Sequence, residues 1–188
     1  MEDSEVLLVL IPVVIAGFAQ ILVIRFDPLP ATAIPLDLGR CWRGARVFGA
    51  HKTIRGVVVM TTACAVAAAV VMPRLLSPED EPATGWFWFG ALVGLGYVVA
   101  ELPNSFVKRR LGIDAGESSA RHRGWQYVVD EGDSVVGVVL VVALLTPVSW
   151  TWLVVAGAAG FLLHVVVDRL LHSTGVKPPV ARSADDGR

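Results

Sequence analysis

Residues 6–24 read VLLVLIPVVIAGFAQILVI, an apolar run without a single charge. It is about as long as one helix needs to cross the hydrocarbon core of a bilayer, roughly 20 residues. Further apolar runs follow at Val57–Leu76, Trp86–Leu102 and Trp150–Val167. A shorter one, Ser134–Leu145, is set apart from the last by Pro147, and it reads either as a span or as a buried or re-entrant helix. Composition agrees: 54% of residues are hydrophobic, and mean hydropathy is +0.62. The pattern predicts an all-α polytopic membrane protein of about five transmembrane helices with polar loops. A net charge of −1 removes any bulk attraction to nucleic acid. The acidic start (Glu2, Asp3, Glu5) lacks the cationic region of a signal peptide, so the first run is expected to be a span.

The cations set an orientation. Arg25, Arg40, Arg43, Arg46, Lys52 and Arg55 fall before the second run, and Lys108, Arg109, Arg110, Arg121 and Arg123 fall between the third and fourth. Arg169, Lys177, Arg182 and Arg188 follow the fifth. The other two connections carry no cation, and one of them holds Glu79, Asp80 and Glu81. Five spans with the N-terminus outside and the C-terminus inside put every basic segment in the cytoplasm of a cell-membrane protein. Trp86, Trp88, Trp150 and Trp152 then begin spans at the outer interface. Gly90 with Gly94, and Gly157 with Gly160, suit close helix packing. Residues 1–177 form the membrane domain and 178–188 a disordered cytoplasmic tail. Cys41 and Cys64 fit neither a disulfide nor a metal motif.

Three polar cassettes exceed what topology requires. Pro35–Gly56, PLDLGRCWRGARVFGAHKTIRG, holds five cations and four glycines against the single acid Asp37. Guanidiniums, an ammonium and a close-approaching backbone suit polyphosphate, although an orienting basic loop has the same charge. The second cassette joins Glu101, Asn104, Ser105, Lys108 and Arg109, with Glu101, Ser105 and Lys108 on one helical face unless Pro103 kinks the helix. A carboxylate there faces the bundle interior or a wet cavity, or pairs with Lys108. The third cassette places Asp130 and Asp133 three residues apart, as Mg²⁺ ligands or as acids at a helix N-terminus. His164 and Asp168, one turn apart, read as a helix-surface pair, and His51 as a phosphate donor or a solvated residue. There is no Walker A loop, nucleophile elbow or zinc-ligand spacing. Charges gathered at one face argue against a small ion-coupled transporter working through Glu101 and His164/Asp168.

The blocks PLDLGRCWRGARVFGAHKTIRG, ELPNSFVKRRLGIDAG and VVDEGDSVVG, closed by HVVVDRLLHSTGVK, resemble the CDP-archaeol synthase family from about Val6 to Lys177. That family is distantly similar to CDP-diacylglycerol synthases. The resemblance implies a cytidylyltransferase of phospholipid biosynthesis that joins CTP to a lipid phosphate, with Mg²⁺ and release of pyrophosphate. It implies catalytic Lys52, Arg55, Lys108, Asp130 and Asp133, with Arg43, Asn104, Ser105 and Arg109 also binding CTP or the lipid phosphate. Asp130 and Asp133 would hold the metal, and Glu101 would complete its shell or orient Lys108. Lipid chains are expected to enter between helices where Gly90, Gly94 and Gly137 leave room. This chain has His51 and Ile54 where the family has Asn and Trp. It also has Glu131 and Ser134 where the family has Gln and Phe, which leaves a non-catalytic scaffold as the rival reading.

Overall fold

The computed structural model describes residues 3–28, 30–76, 82–115, 117–118, 123–173 and 181–182. A 3₁₀ segment, Asp3–Val9, leads into α1 (Leu10–Phe26), followed by α2 (Ile54–Leu75), α3 (Ala83–Arg110), α4 (Arg123–Leu145) and α5 (Trp150–Ser173). Among the described residues four helical segments are long and apolar enough to cross a bilayer: Asp3–Phe26, Ile54–Leu75, Ala83–Arg110 and Trp150–Leu171. The α4 helix matches them in length but carries acids. It begins at Arg123, well before the expected Ser134, so Asp130, Glu131 and Asp133 lie inside a helix and not at its N-terminus. That placement removes the reading in which they complement the helix dipole. Pro103 does not interrupt α3.

Local chemistry sets the helix ends. Thr53 caps α2 by accepting from the Gly56 N–H at 3.1 Å. The α3 helix stops in a Schellman turn: Gly112 has φ 73°, and Ile113 N donates to Lys108 O at 3.0 Å. Ile113 is buried beneath that turn, so Lys108, Arg109 and Arg110 sit in the last turn of a well-terminated helix.

Consecutive helices pack side by side, α1 on α2, α2 on α3, α3 on α4 and α4 on α5. Small residues allow the close approaches. A Cβ at Gly90 would lie 2.6 Å from Cys64 O, one at Gly94 2.8 Å from Met60 O, and one at Gly137 2.2 Å from Gly96 O. These three glycines are therefore closed helix contacts and leave no room for lipid chains, contrary to the expectation above. At one end the row of helices is tied back on itself. There Asp3 accepts from Ser149 N at 2.9 Å, and Gly160 of α5 meets Leu10 of α1. Beyond that contact α1 and α5 line the two sides of a cavity of about 1030 Å³.

Two short strands, β1 (Cys41–Trp42) and β2 (Ala45–Arg46), form an antiparallel hairpin. Arg43 and Gly44 at its turn both have positive φ, the type I′ signature that matches strand twist. A parallel bridge joins β3 (Glu117–Ser118) to β4 (Ala181–Arg182), so this part of the expected disordered tail is ordered. The rest of 178–188, and the acidic connection 77–81, lie outside the described residues. Cys41 is exposed and Cys64 buried, and both are free.

Candidate active site

Asp37 builds the first cassette. Its buried carboxylate pairs with Arg46 and accepts the backbone N–H groups of Gly39 (3.0 Å), Phe48 (3.2 Å) and Gly49 (3.0 Å). Burial alone would raise its pKa; the Arg46 guanidinium and the three N–H groups outweigh burial and hold it well below the usual carboxylate range. The folded loop then runs antiparallel to the approach to α2. Leu36 N donates to Lys52 O and Ile54 N to Ile34 O, both at 2.8 Å. These bonds flank Thr53 and hold the backbone at Lys52 in place.

Lys52 reaches the Glu101 carboxylate on α3. One turn on, Asn104 spans to α4, its Nδ2 donating to Asp130 Oδ1 at 2.7 Å and to Asp133 Oδ2 at 2.8 Å. Lys108 Nζ lies 2.8 Å and 3.1 Å from the two oxygens of Asp130. Two carboxylates three residues apart on α4 are thus held together by one amide. Arg109 completes the wall. It is only 9% exposed, and its Nε and Nη1 have no hydrogen-bond partner among the described residues. Gly49 brings the loop backbone against that side chain, its Cβ position 3.5 Å from Arg109 Nε. A buried cation with idle donors costs free energy until an anion arrives.

These groups enclose a polar pocket of about 210 Å³ lined by His51, Lys52, Glu101, Asn104, Ser105, Lys108, Arg109, Asp130 and Asp133, with Phe48 and Ala115. His51, Lys52, Glu101 and Asp130 also line the larger cavity between α1 and α5. Its walls are mostly apolar, with side chains such as Val13, Ile21, Val135, Val139, Leu153 and Leu163, and Arg25, Glu131, His164, Asp168 and Arg169 also line it. The two spaces meet at His51, Lys52, Glu101 and Asp130.

Two expected site residues go elsewhere. Arg55 binds Asp27 at 2.7 Å and the Pro28 carbonyl at 3.0 Å, tying the end of α1 to the start of α2, and it lines neither cavity. Arg43 sits at the hairpin turn with its guanidinium 4.7 Å from the Trp42 ring centre, also outside both cavities. His164 also faces the bundle: Nδ1 lies 2.8 Å from Glu131 Oε2 and Nε2 2.9 Å from the Tyr97 hydroxyl. Asp168 is buried beside Tyr127. Sequence reasoning missed Tyr97 altogether. Its one signal is position, one turn before Glu101 on the same face of α3.

The Asp130/Asp133 pair fits Mg²⁺, which takes one or two protein carboxylates and fills its shell with water and phosphate oxygens. Among the described residues no group of three His, Cys, Asp or Glu gathers as a fuller metal cage would require.

The model of the CarS-like family, CDP-archaeol synthase, matches residues 5–179. A CDP-archaeol synthase from Methanospirillum hungatei is 34% identical over 155 residues, covering 80% of this chain and 86% of the relative. One from Aeropyrum pernix is 27% identical and covers 92% of this chain and 89% of its own length. A solved intramembrane enzyme of archaeal membrane lipid biosynthesis superposes with a TM-score of 0.65 at 26% identity. That superposition covers 89% of this chain and 95% of the solved one.

Proposed function

This chain belongs to the CDP-archaeol synthase family, and on that premise we propose how its two cavities divide the work of a CTP-dependent cytidylyltransferase acting on a membrane lipid phosphate. The polar pocket takes the triphosphate of CTP. The α1–α5 cavity takes the lipid chains, with the lipid phosphate at the shared rim of Lys52, Glu101 and Asp130. The observation that carries this reading is the junction itself: a pocket with an idle buried guanidinium opens, at Lys52, Glu101 and Asp130, onto a mostly apolar chamber. A water-soluble polyphosphate and a lipid phosphate can meet only at such a boundary.

In the reaction an oxygen of the lipid phosphate attacks the α-phosphorus of CTP. The bond from that phosphorus to the bridging oxygen breaks, and pyrophosphate leaves with the electron pair, yielding the CDP-lipid. The attacking phosphate is already ionised near pH 7, with a second pKa of about 6, so no strong base is needed. Positioning and charge neutralisation then carry the rate. Lys52 and Arg109 grip the outgoing phosphates, and Lys108 and Ser105 orient the α-phosphate. Asn104 holds Asp130 and Asp133 at a fixed separation. Those two carboxylates are the Mg²⁺ ligands, and the ion supplies neutralisation of phosphate charge when bound. Lys52, Lys108, Arg109 and Arg169 gather at one end of the bundle. This supports five spans with the N-terminus outside and the site on the cytoplasmic face of the cell membrane.

The test uses purified protein in nanodiscs with labelled CTP and a diether glycerol phosphate. Asp133→Ala should abolish Mg²⁺-dependent CDP-lipid formation; undiminished turnover refutes the metal assignment. Gly17 faces the apolar cavity with nothing within 4 Å of a Cβ. Gly17→Phe should therefore raise KM for the lipid phosphate and leave KM for CTP unchanged. Equal effects on both would refute the division of the cavities.

A further inference from the structure

The β1–β2 hairpin contributes nothing to either cavity, yet it is firmly built. Arg110, at the end of α3, donates Nη2 to Ala45 O at 2.9 Å and also bonds the carbonyls of Trp42 and Arg46. Trp42 stacks on Phe106 of α3, with ring centres 5.5 Å apart and planes at 30°. The Arg110 guanidinium lies over both rings, at 5.3 Å from Trp42 and 4.9 Å from Phe106. This docking holds an unusual set of side chains in the open. Trp42 remains 47% exposed, Leu38 63% and Leu111 69%, with Arg40 and Arg43 exposed beside them.

The depth of this patch follows from helix geometry. The apolar part of α3 ends near Leu102, and an α-helix rises about 1.5 Å per residue. Phe106 is therefore about 6 Å beyond the hydrocarbon, and the headgroup layer is about 5–8 Å thick on each side. Trp42, stacked on Phe106, is at headgroup level, where an indole with an apolar body and an N–H donor is most stable. The cations around it match the charge of that layer. Asp37 is already engaged by Arg46, so it does not neutralise Arg40 or Arg43.

We infer that the hairpin is an anchor for anionic phospholipid headgroups of the surrounding bilayer, with Trp42 seated among them and Arg40 and Arg43 holding their phosphates. The anchor presses the Asp37 loop, and through it Lys52, against the membrane surface where a lipid phosphate arrives. It does so from outside the catalytic pocket, and its test does not depend on turnover.

The full chain is reconstituted in phosphatidylcholine nanodiscs with or without phosphatidylglycerol. Subtracting the emission of Trp42→Phe isolates Trp42 from the other tryptophans, and the substitution keeps a ring on Phe106. Trp42 should be quenched by lipids brominated near the glycerol and shielded from acrylamide, with shielding increased by phosphatidylglycerol. Arg43→Gln, at an exposed turn, should cut the phosphatidylglycerol effect about fivefold, the factor one arginine near an anionic surface supplies. Free acrylamide access with no quenching by brominated lipid overturns the anchor. So does equal shielding with and without phosphatidylglycerol, or reproduction of the shift by inorganic phosphate in phosphatidylcholine alone.

Discussion

Replacing Gly137 by alanine tests whether helix spacing sets the geometry of the site. The added Cβ would stand 2.2 Å from Gly96 O and 2.6 Å from Ala100 Cβ, both on α3. A carbon and a carbonyl oxygen come no closer than about 3.3 Å even in weak C–H···O contacts, so relief requires about 1 Å of movement. Neither obstacle is the end of a flexible side chain, and α3 and α4 must separate as bodies. The consequence reaches the pocket directly. Asn104 lies one turn from Ala100, and Asp133 one turn from Gly137, so the crowded contact sits just beneath the Asn104–Asp133 bond. Adding about 1 Å to its 2.8 Å takes it past hydrogen-bond range. Overpacking costs about 1–3 kcal/mol of stability, whereas misplacing a reacting group by about 1 Å costs roughly 100-fold in rate. The variant should therefore remain folded at lowered thermal stability and lose about 100-fold in kcat at saturating CTP and lipid phosphate. Gly96→Ala meets mainly the Val141 methyl, which can rotate, and should lose much less. Gly124→Ala, with nothing within 4 Å, should be neutral. A folded Gly137→Ala enzyme within about threefold of wild-type kcat would refute the reasoning, since 1 Å was expected to cost far more.

Two further outcomes follow from buried charges. Asp37→Ala strands three backbone N–H groups and releases the partly exposed Arg46, and should cost about 1–3 kcal/mol of loop stability, read as rapid proteolysis between residues 38 and 50 and a raised KM for CTP. Because the folded carboxyl titrates far below the unfolded value of about 3.9, its contribution is complete above that pH and is lost as pH falls further. Protease resistance of the wild-type loop should therefore be flat from neutrality down to about pH 4, and a loss centred near pH 6 would contradict the assignment. Arg109→Gln removes an idle buried charge, so the nucleotide-free protein should be no less stable than wild type. Its kcat/KM for CTP should fall about 10- to 100-fold, the worth of hydrogen bonds to a charged group. If thermal shift shows full CTP stabilisation in the variant, Arg109 does not touch the phosphates.

The apolar runs announced the bundle because each helix must satisfy its backbone internally across a bilayer, and length and hydropathy record that need directly. The start of α4 was not legible by the same logic. Residues 123–133 mix Trp125, Tyr127, Val128 and Val129 with Gln126, Asp130, Glu131 and Asp133, and the partners that accommodate Asp130 (Asn104 and Lys108 of a neighbouring helix) are a long-range fact that no local period encodes. Gly90 and Gly94 read both as packing sites and, with Gly137, as a lipid gap, and only the packing reading holds, since a missing side chain looks the same whether a helix or a ligand fills the space.

Among the cations, sequence spacing could not tell those aimed at the pocket from those spent on the scaffold. Lys52 and Arg55 lie three residues apart on either side of a helix start, yet one faces Glu101 and the other Asp27. What separates them is which neighbour supplies a carboxylate. The cassette at Pro35–Gly56 consequently has three jobs distributed among its arginines and lysine: Arg46 folds the loop on Asp37, Arg55 ties α1 to α2, and Lys52 alone of the three lines the pocket. Density of positive charge therefore pointed to the end of the bundle that holds the polar pocket, without separating the residues that line it from those that do not. The buried Arg109, flanked by two other cations in an ordinary-looking helix terminus, is the residue whose surroundings most demand an anion.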